Sequence, residues 1–257
     1  MDGIGNGPRI LVEIPLGSLC TVKITQTTLS SFVVMIVLIA LSAWLGKGLQ
    51  KRPTRRQVLV EKGVAVLDEL VCSTMGAHNR HFVPYIGALF CSSVLGTLIS
   101  LFGGVFRSAT ADLSTTVTWA LITSVMCWYY NIKANGFFGW LKGFAEPVAV
   151  MTPMNIISEI AQPISMSFRH FGNIAGGGVL TSLIYGALAA LSRLLLGWIP
   201  NKILSSIPLF QVGIPAFLSI YFDLFSGFVQ ALVFVLLTMI YVGSAIPAPE
   251  EAKQKTV

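Results

Sequence analysis

The sequence predicts an all-α integral membrane protein, and three observations carry that prediction. Apolar residues make up 54% of the 257 residues and charged ones only 11%, with a mean hydropathy of +0.76. The apolar residues fall in runs of about twenty or more, the length at which a helix crosses a bilayer and far too long for barrel strands. The basic residues behind the net charge of +6 sit in the links between those runs, a pattern of membrane topology rather than nucleic-acid binding.

Taken in order, residues 1–23 are mixed and short on helical pattern. Residues 24–46 carry no charge and form a first span. A basic segment follows, with Lys47, Lys51, Arg52, Arg55, Arg56 and Lys62. Residues 57–76 place apolar positions at helical spacing with charges between them, which predicts an amphipathic helix lying at the interface. The charge-free run 82–106 is a second span; after a link containing Arg107 and Asp112, 113–132 is a third. Residues 133–146 read as a glycine- and aromatic-containing loop suited to an interface. The runs 147–192 and 203–249 are each more than twice the ~20 residues of a perpendicular span. Around a link with Arg193, Trp198, Pro200, Asn201 and Lys202, they predict a strongly tilted helical hairpin. The whole chain is expected to be one membrane domain of about five crossings.

Five crossings put the termini on opposite sides. With the N-terminus outside, eleven Lys and Arg fall in inner links and the C-terminal tail and five in outer ones, Arg169 being buried. The positive-inside rule therefore selects N-out, C-in. Cys20, Cys72, Cys91 and Cys127 lack metal-ligand spacing, and Cys91 and Cys127 read as small apolar residues within spans. The first apolar run starts too late and is too long for a cleavable signal. No phosphate-cradling loop, no metal-spaced cluster and no nucleophile–base pair is present, so the sequence predicts no hydrolytic activity, cofactor or metal.

The chemistry concentrates in residues 165–178, SMSFRHFGNIAGGG. Arg169 lies deep in an apolar run, where a guanidinium costs from ~3 to ~10 kcal/mol or more unless it has a partner. Snorkelling from a helix end is the plainer reading of a membrane arginine. Against it, only Glu159 and His170 are ionisable between Glu146 and Arg193 besides Arg169 itself. Ser165, Arg169, Asn173 and Gly176 to Gly177 recur at i, i+4 spacing and share one face. The glycines around them suit helix packing, or the close approach of a second protein's helix, and the sequence leaves both readings open. His170 points about 100° away and reads as a packed, hydrogen-bonded histidine rather than a proton shuttle. Asp223 and Gln230 are seven residues apart on one face. Hairpin symmetry about Pro200 places Gln230 level with Arg169 to Asn173, and Asp223 roughly 12 Å away, too far for an ion pair. Asp223 is then a carboxylate partway along an aqueous path. Glu159 either lines an opening on the other side or snorkels, and Asp112 in TADLSTT is either a helix N-cap or part of an outer vestibule.

The segment PISMSFRHFGNIAGG resembles the P-x-S-x-x-x-R-L-F-G-N pattern of the subunit a family of rotary F-type ATP synthases. FDLFSGFVQALVFVLLTMIYVGSA at 222–245 is similar to the family's second motif. FVPYIGALF at 82–90 and TADLSTTVTWAL at 110–121 match more weakly, so the likeness spans most of the chain from the second crossing onward. It implies a non-catalytic stator subunit that passes ions, taken as protons, through two offset half-channels against a ring of c subunits, beside peripheral-stalk b subunits and membrane lipid. Arg169 takes the role of the family arginine that holds the arriving ring carboxylate. Asn173, Asp223 and Gln230 match the outer half-channel, and Ser165 and Glu159 the inner one, with Asp112 and His170 as further candidates. The implied location is a bacterial plasma membrane, or else the mitochondrial inner membrane. Three positions depart from the pattern: His170 replaces leucine, Gly178 stands where many members carry Glu or His, and Gly103 stands where proline is common. The rival reading is a self-contained ion-coupled transporter with Arg169 binding an anionic substrate; it calls for inverted repeats, and none is found.

Overall fold

The computed structural model describes residues 10–16, 20–48, 50–99, 107–146, 148–196 and 220–247. The described residues begin with a hairpin: β1 (Ile10–Leu16) pairs antiparallel with β2 (Cys20–Thr25), from Ile10 opposite Thr25 to Leu16 opposite Cys20. The hairpin is a small addition to a chain that is otherwise helical in its described residues. The segments ILVEIPL and CTVKIT are rich in β-branched residues, which suit a pleated strand better than a helix.

Among the described residues, six α-helices follow. Thr25 caps α1 (Gln26–Gly46), its hydroxyl accepting from the Thr28 amide. The run α2 (Arg55–Met75) ends at Gly76, whose φ of +86° is a conformation other residues reach only with strain. A 3₁₀ turn (Ala77–Phe82) leads into α3 (Val83–Leu98). Asp112 caps α4 (Leu113–Gly143) by accepting from the Ser114 amide at 3.1 Å. The long α5 (Thr152–Leu196) has 45 residues, about 67 Å of rise, against a hydrocarbon core of ~30 Å. A π-helical turn (Ile220–Ser226) precedes α6 (Gly227–Ala245).

Two expectations about boundaries change. The 133–146 loop is helical as far as Gly143, with a break at Gly136, whose φ of +72° turns the chain inside α4. The helix of the 82–106 run ends at Leu98, and 100–106 lie outside the described residues, as do 203–219 and 248–249 of the last run. Four described stretches are long and apolar enough to cross a bilayer: Gln26–Gly46, Ala77–Leu98, Thr152–Ser192 and Leu224–Ala245. The 113–132 stretch, expected as a further crossing, is helical but not among these four, because its threonines, serines and tyrosines dilute its apolar content.

α6 is the centre of the bundle, in contact with α2, α3, α4 and α5. Its Phe234, Val235, Met239 and Val242 are buried against Ile86, Ala120 and Cys127. The C-terminal end of α2 joins them through Val71 and Met75, so that helix is tethered to the core although its first half is exposed. Outside this core the bundle is apolar on its surface. Phe32, Ile36 and Ile39 of α1 and Ile157, Ile160, Phe168 and Leu183 of α5 are all exposed. So large a contiguous apolar surface cannot face water; its solvent is lipid or protein.

Candidate functional site

Pro163 sits inside α5 without ending it. Its missing N–H leaves the carbonyl of Glu159, four residues earlier, without its helical donor. The Glu159 side chain turns to α4, where its Oε1 accepts from the Trp128 indole N–H at 2.5 Å. Around it opens a polar cleft of about 360 Å³ that includes Asn131, Asn135, Asn155 and Ser158. Asn155 closes one end by donating to the carbonyls of Phe144 and Glu146. Glu159 is thus hydrogen-bonded within the bundle rather than snorkelling free.

Ten residues on, roughly 15 Å of rise, Arg169 is exposed on the outer face of α5. Among the described residues it makes no ion pair or hydrogen bond. Ser165 is exposed one turn before it. Cβ atoms added at Gly172, Gly176 or Gly178 would meet nothing within 4 Å. Among the described residues, this glycine surface therefore packs against no helix of its own chain. A cation held there, with apolar Ile164 and Phe168 exposed beside it, can bind a carboxylate only if that carboxylate comes from outside the described bundle. The guanidinium fork suits such a partner bidentately.

The shared face of Ser165, Arg169 and Asn173 does not stay outward. A four-residue step on a helix of 3.6 residues per turn drifts by about 40°, so Asn173 has rolled in to become half-buried. There it meets Ser226. The Ser226 hydroxyl donates to Asn173 Oδ1 at 2.9 Å, and Asn173 Nδ2 donates to the Ser226 carbonyl at 3.4 Å. His170 turns fully inward, 0% exposed, between the rings of Trp119 and Phe234. Its Nε2 bonds the Ser93 hydroxyl at 3.2 Å, while Nδ1 has no hydrogen-bond partner among the described residues. The backbone carbonyl of Gln230 lies beside the ring. These pairings run α5 and α6 antiparallel, with Gln230 level with His170 and Ser226 level with Asn173.

Asp223 falls in the π-helical turn, three residues before Ser226. Its backbone is therefore displaced from Arg169 by roughly 10 Å along the axis; its side chain lies outside the described residues. Asp112 is at the opposite end of the bundle from Glu159 in the order of α4. It accepts from Thr27 of α1 at 2.9 Å as well as capping α4, so it joins two elements. The structure thus brings together Asn173, His170 and Gln230, leaves Arg169 and Ser165 facing out, and keeps Glu159 and Asp112 at a distance. Sequence reasoning missed three partners: Ser226, Ser93 and Trp128. Ser226 was open to the same register arithmetic that places Gln230, but nothing in the sequence pairs Trp128 with Glu159.

A family model described as ATP synthase A chain matches residues 28–243. Among curated proteins, the chain is 33% identical over 268 aligned positions to "ATP synthase subunit a, sodium ion specific" of Propionigenium modestum, covering 93% of this chain and 85% of that protein. It is 31% identical to "ATP synthase subunit a 1" of Crocosphaera subtropica, covering 88% of each. It is 29% identical to "ATP synthase subunit a 2" of a Bradyrhizobium species, covering 88% of this chain and 90% of that protein.

Proposed function

The chain belongs to the ATP synthase A chain family, the ion-translocating, non-catalytic stator subunits of the F-type enzyme, and from that premise we propose that Arg169 is the fixed cation to which the carboxylates of a rotating c-ring are presented. The observation that carries the reading is an exposed guanidinium without an anionic partner among the described residues, on a face of α5 whose glycines have open space in front of them. An ion arriving from outside passes Asp223, Asn173 and Gln230 and loads a ring carboxylate. The loaded ring turns through lipid, and the ion leaves past Ser165 and Glu159. Arg169 holds the unloaded carboxylate in between and blocks a direct leak from one path to the other. Each charge moved is worth ~2.3 kcal/mol per 100 mV, the energy that rotation must transmit.

The protein is a multi-pass membrane subunit of a multi-subunit complex. We place it in a bacterial plasma membrane with the N-terminus outside, next to the ring and the peripheral-stalk b subunits. Eleven basic residues on the inner side against five on the outer support that orientation. The ion is taken to be the proton. The ring carboxylate and its ligands belong to another chain, so sodium coupling, as in the name of the Propionigenium relative, is the alternative that a Na⁺ titration of ATP-driven uptake decides. The self-contained transporter is not favoured, since the members of this family work within a multi-subunit complex. The decisive experiment is Arg169→Ala in the assembled complex. Gradient-driven ATP synthesis should vanish while ATP hydrolysis by the soluble motor continues; synthesis at the wild-type rate overturns the assignment.

A further inference from the structure

A second polar site lies where α1 meets α2, away from the arginine face. The pocket has a volume of about 390 Å³ and is walled by Trp44 at the end of α1 and by Lys47, Arg55 and Arg56. The fold builds it. The Gln57 side chain accepts from the Gln50 amide and donates to the Gln50 carbonyl, both at 3.1 Å, which straps the link 50–57 into a closed loop. The same amide donates to Glu61 at 2.7 Å, so the nearest carboxylate in sequence is held by Gln57 rather than by the pocket's cations. The Arg56 guanidinium is held over the Trp44 ring, 5.1 Å from its centroid. The first turn of α2 contains no acidic residue, and Thr54 makes no side-chain cap bond to its amides. Among the described residues, Lys47, Arg55 and Arg56 have no anionic partner.

We propose that this pocket binds the phosphodiester headgroup of an anionic membrane phospholipid, with the acyl chains lying along α1. The charge selects a phosphate: three cations and no carboxylate line the cavity, and guanidinium groups pair with phosphate oxygens bidentately. The position selects a lipid over a free anion. The pocket opens at the end of an apolar span whose Leu41 and Trp44 are exposed, and tryptophan at that depth marks the headgroup level. Basic pockets beside membrane helices hold such headgroups on the same physical grounds.

The test uses the full-length chain in zwitterionic micelles doped with phosphatidylglycerol, with native mass spectrometry counting retained lipid. Wild type should retain one phosphatidylglycerol in preference to phosphatidylcholine. At about fivefold per cation, Arg55→Gln with Arg56→Gln should weaken retention roughly 30-fold at unchanged helicity. Lys51→Gln with Arg52→Gln, whose residues lie in the same link but do not line the pocket, should change it less than about threefold. Phosphatidylglycerol brominated on its acyl chains should quench wild type more than Trp44→Phe. Equal losses in the two double variants mean attraction by net charge alone and overturn the site. Retention unaffected by the arginine pair does so too. Displacement of the lipid by equimolar inorganic phosphate overturns the choice of a lipid.

Discussion

Asn173 and Ser226 hold α5 to the start of α6 through two bonds exchanged in opposite directions, hydroxyl to side-chain carbonyl and side-chain amide to backbone carbonyl. The pair stands one turn from Arg169, at the level where the face of α5 rolls from the outside of the bundle into it. It therefore fixes both the separation of the two helices and the direction in which Arg169 points.

Polar bonds between membrane helices are worth about 0.6 kcal/mol on average and up to about 1.7. A double-mutant cycle of Asn173→Ala and Ser226→Ala should give a coupling energy in that range, read from unfolding in mixed detergent. The Ser226 carbonyl stays in the double variant, so the cycle reports the side-chain bond alone. Additive losses, with no coupling, would mean the two helices are held elsewhere.

His170 occupies a position where the family pattern has leucine, and its environment is that of a packing residue. The ring is enclosed by Trp119 and Phe234, and one nitrogen has no hydrogen-bond partner among the described residues. His170→Leu restores an apolar side chain and removes the unpaired atom, although it also deprives Ser93 of its bond. These changes oppose each other, and a net stability change within about 1.5 kcal/mol is expected. His170→Ala should cost roughly 2–4 kcal/mol through the cavity it leaves. Ion-driven ATP synthesis should survive the leucine variant; its loss at normal assembly would make His170 part of the ion path.

Close packing next to the same level gives a sharper test. A Cβ added at Gly227 would overlap Cγ2 of Thr97 on α3. Thr97 cannot simply rotate away, because its hydroxyl donates to the Ser93 carbonyl at 3.0 Å. Gly227→Ala should destabilise the bundle by about 1–3 kcal/mol. Thr97→Ser removes the clashing methyl and keeps the hydroxyl, so it should restore most of that loss. Failure of the serine variant to rescue would place the strain elsewhere.

What was legible in the sequence follows from periodicity and charge. The first apolar run stands out because charges bound it on both sides, and Arg169 because a lone cation in hydrocarbon has no ordinary explanation. Register arithmetic places Gln230 near Arg169, since two helices running antiparallel pair residues of constant summed number. The hairpin Ile10–Thr25 was missed because short strands of mixed polarity leave no run to detect. The helical continuation to Gly143 was missed because glycine and aromatic residues imitate a loop. Whether Arg169 faces inward or outward depends on which face of α5 the rest of the bundle covers. One sequence, read helix by helix, contains no information on that.

Each end of the proposed ion path carries one carboxylate, and substitutions at the two ends predict different responses. Glu159 is tied to the Trp128 indole in a polar cleft. Asp223 has its backbone in a π-helical turn ahead of α6. If Asp223 is the outer relay, Asp223→Asn should slow passive ion flux through the membrane sector about tenfold or more, because no proton can be carried on the amide. Trp128→Phe should act more gently. It frees Glu159 from one donor worth about 1–2 kcal/mol without removing the carboxylate, so flux should change less than threefold while the cleft loosens. Flux measured in vesicles after removal of the soluble motor checks both. An unchanged rate in Asp223→Asn assigns the outer relay to another group, and a block in Trp128→Phe equal to that of Glu159→Gln would make the indole itself part of the inner path.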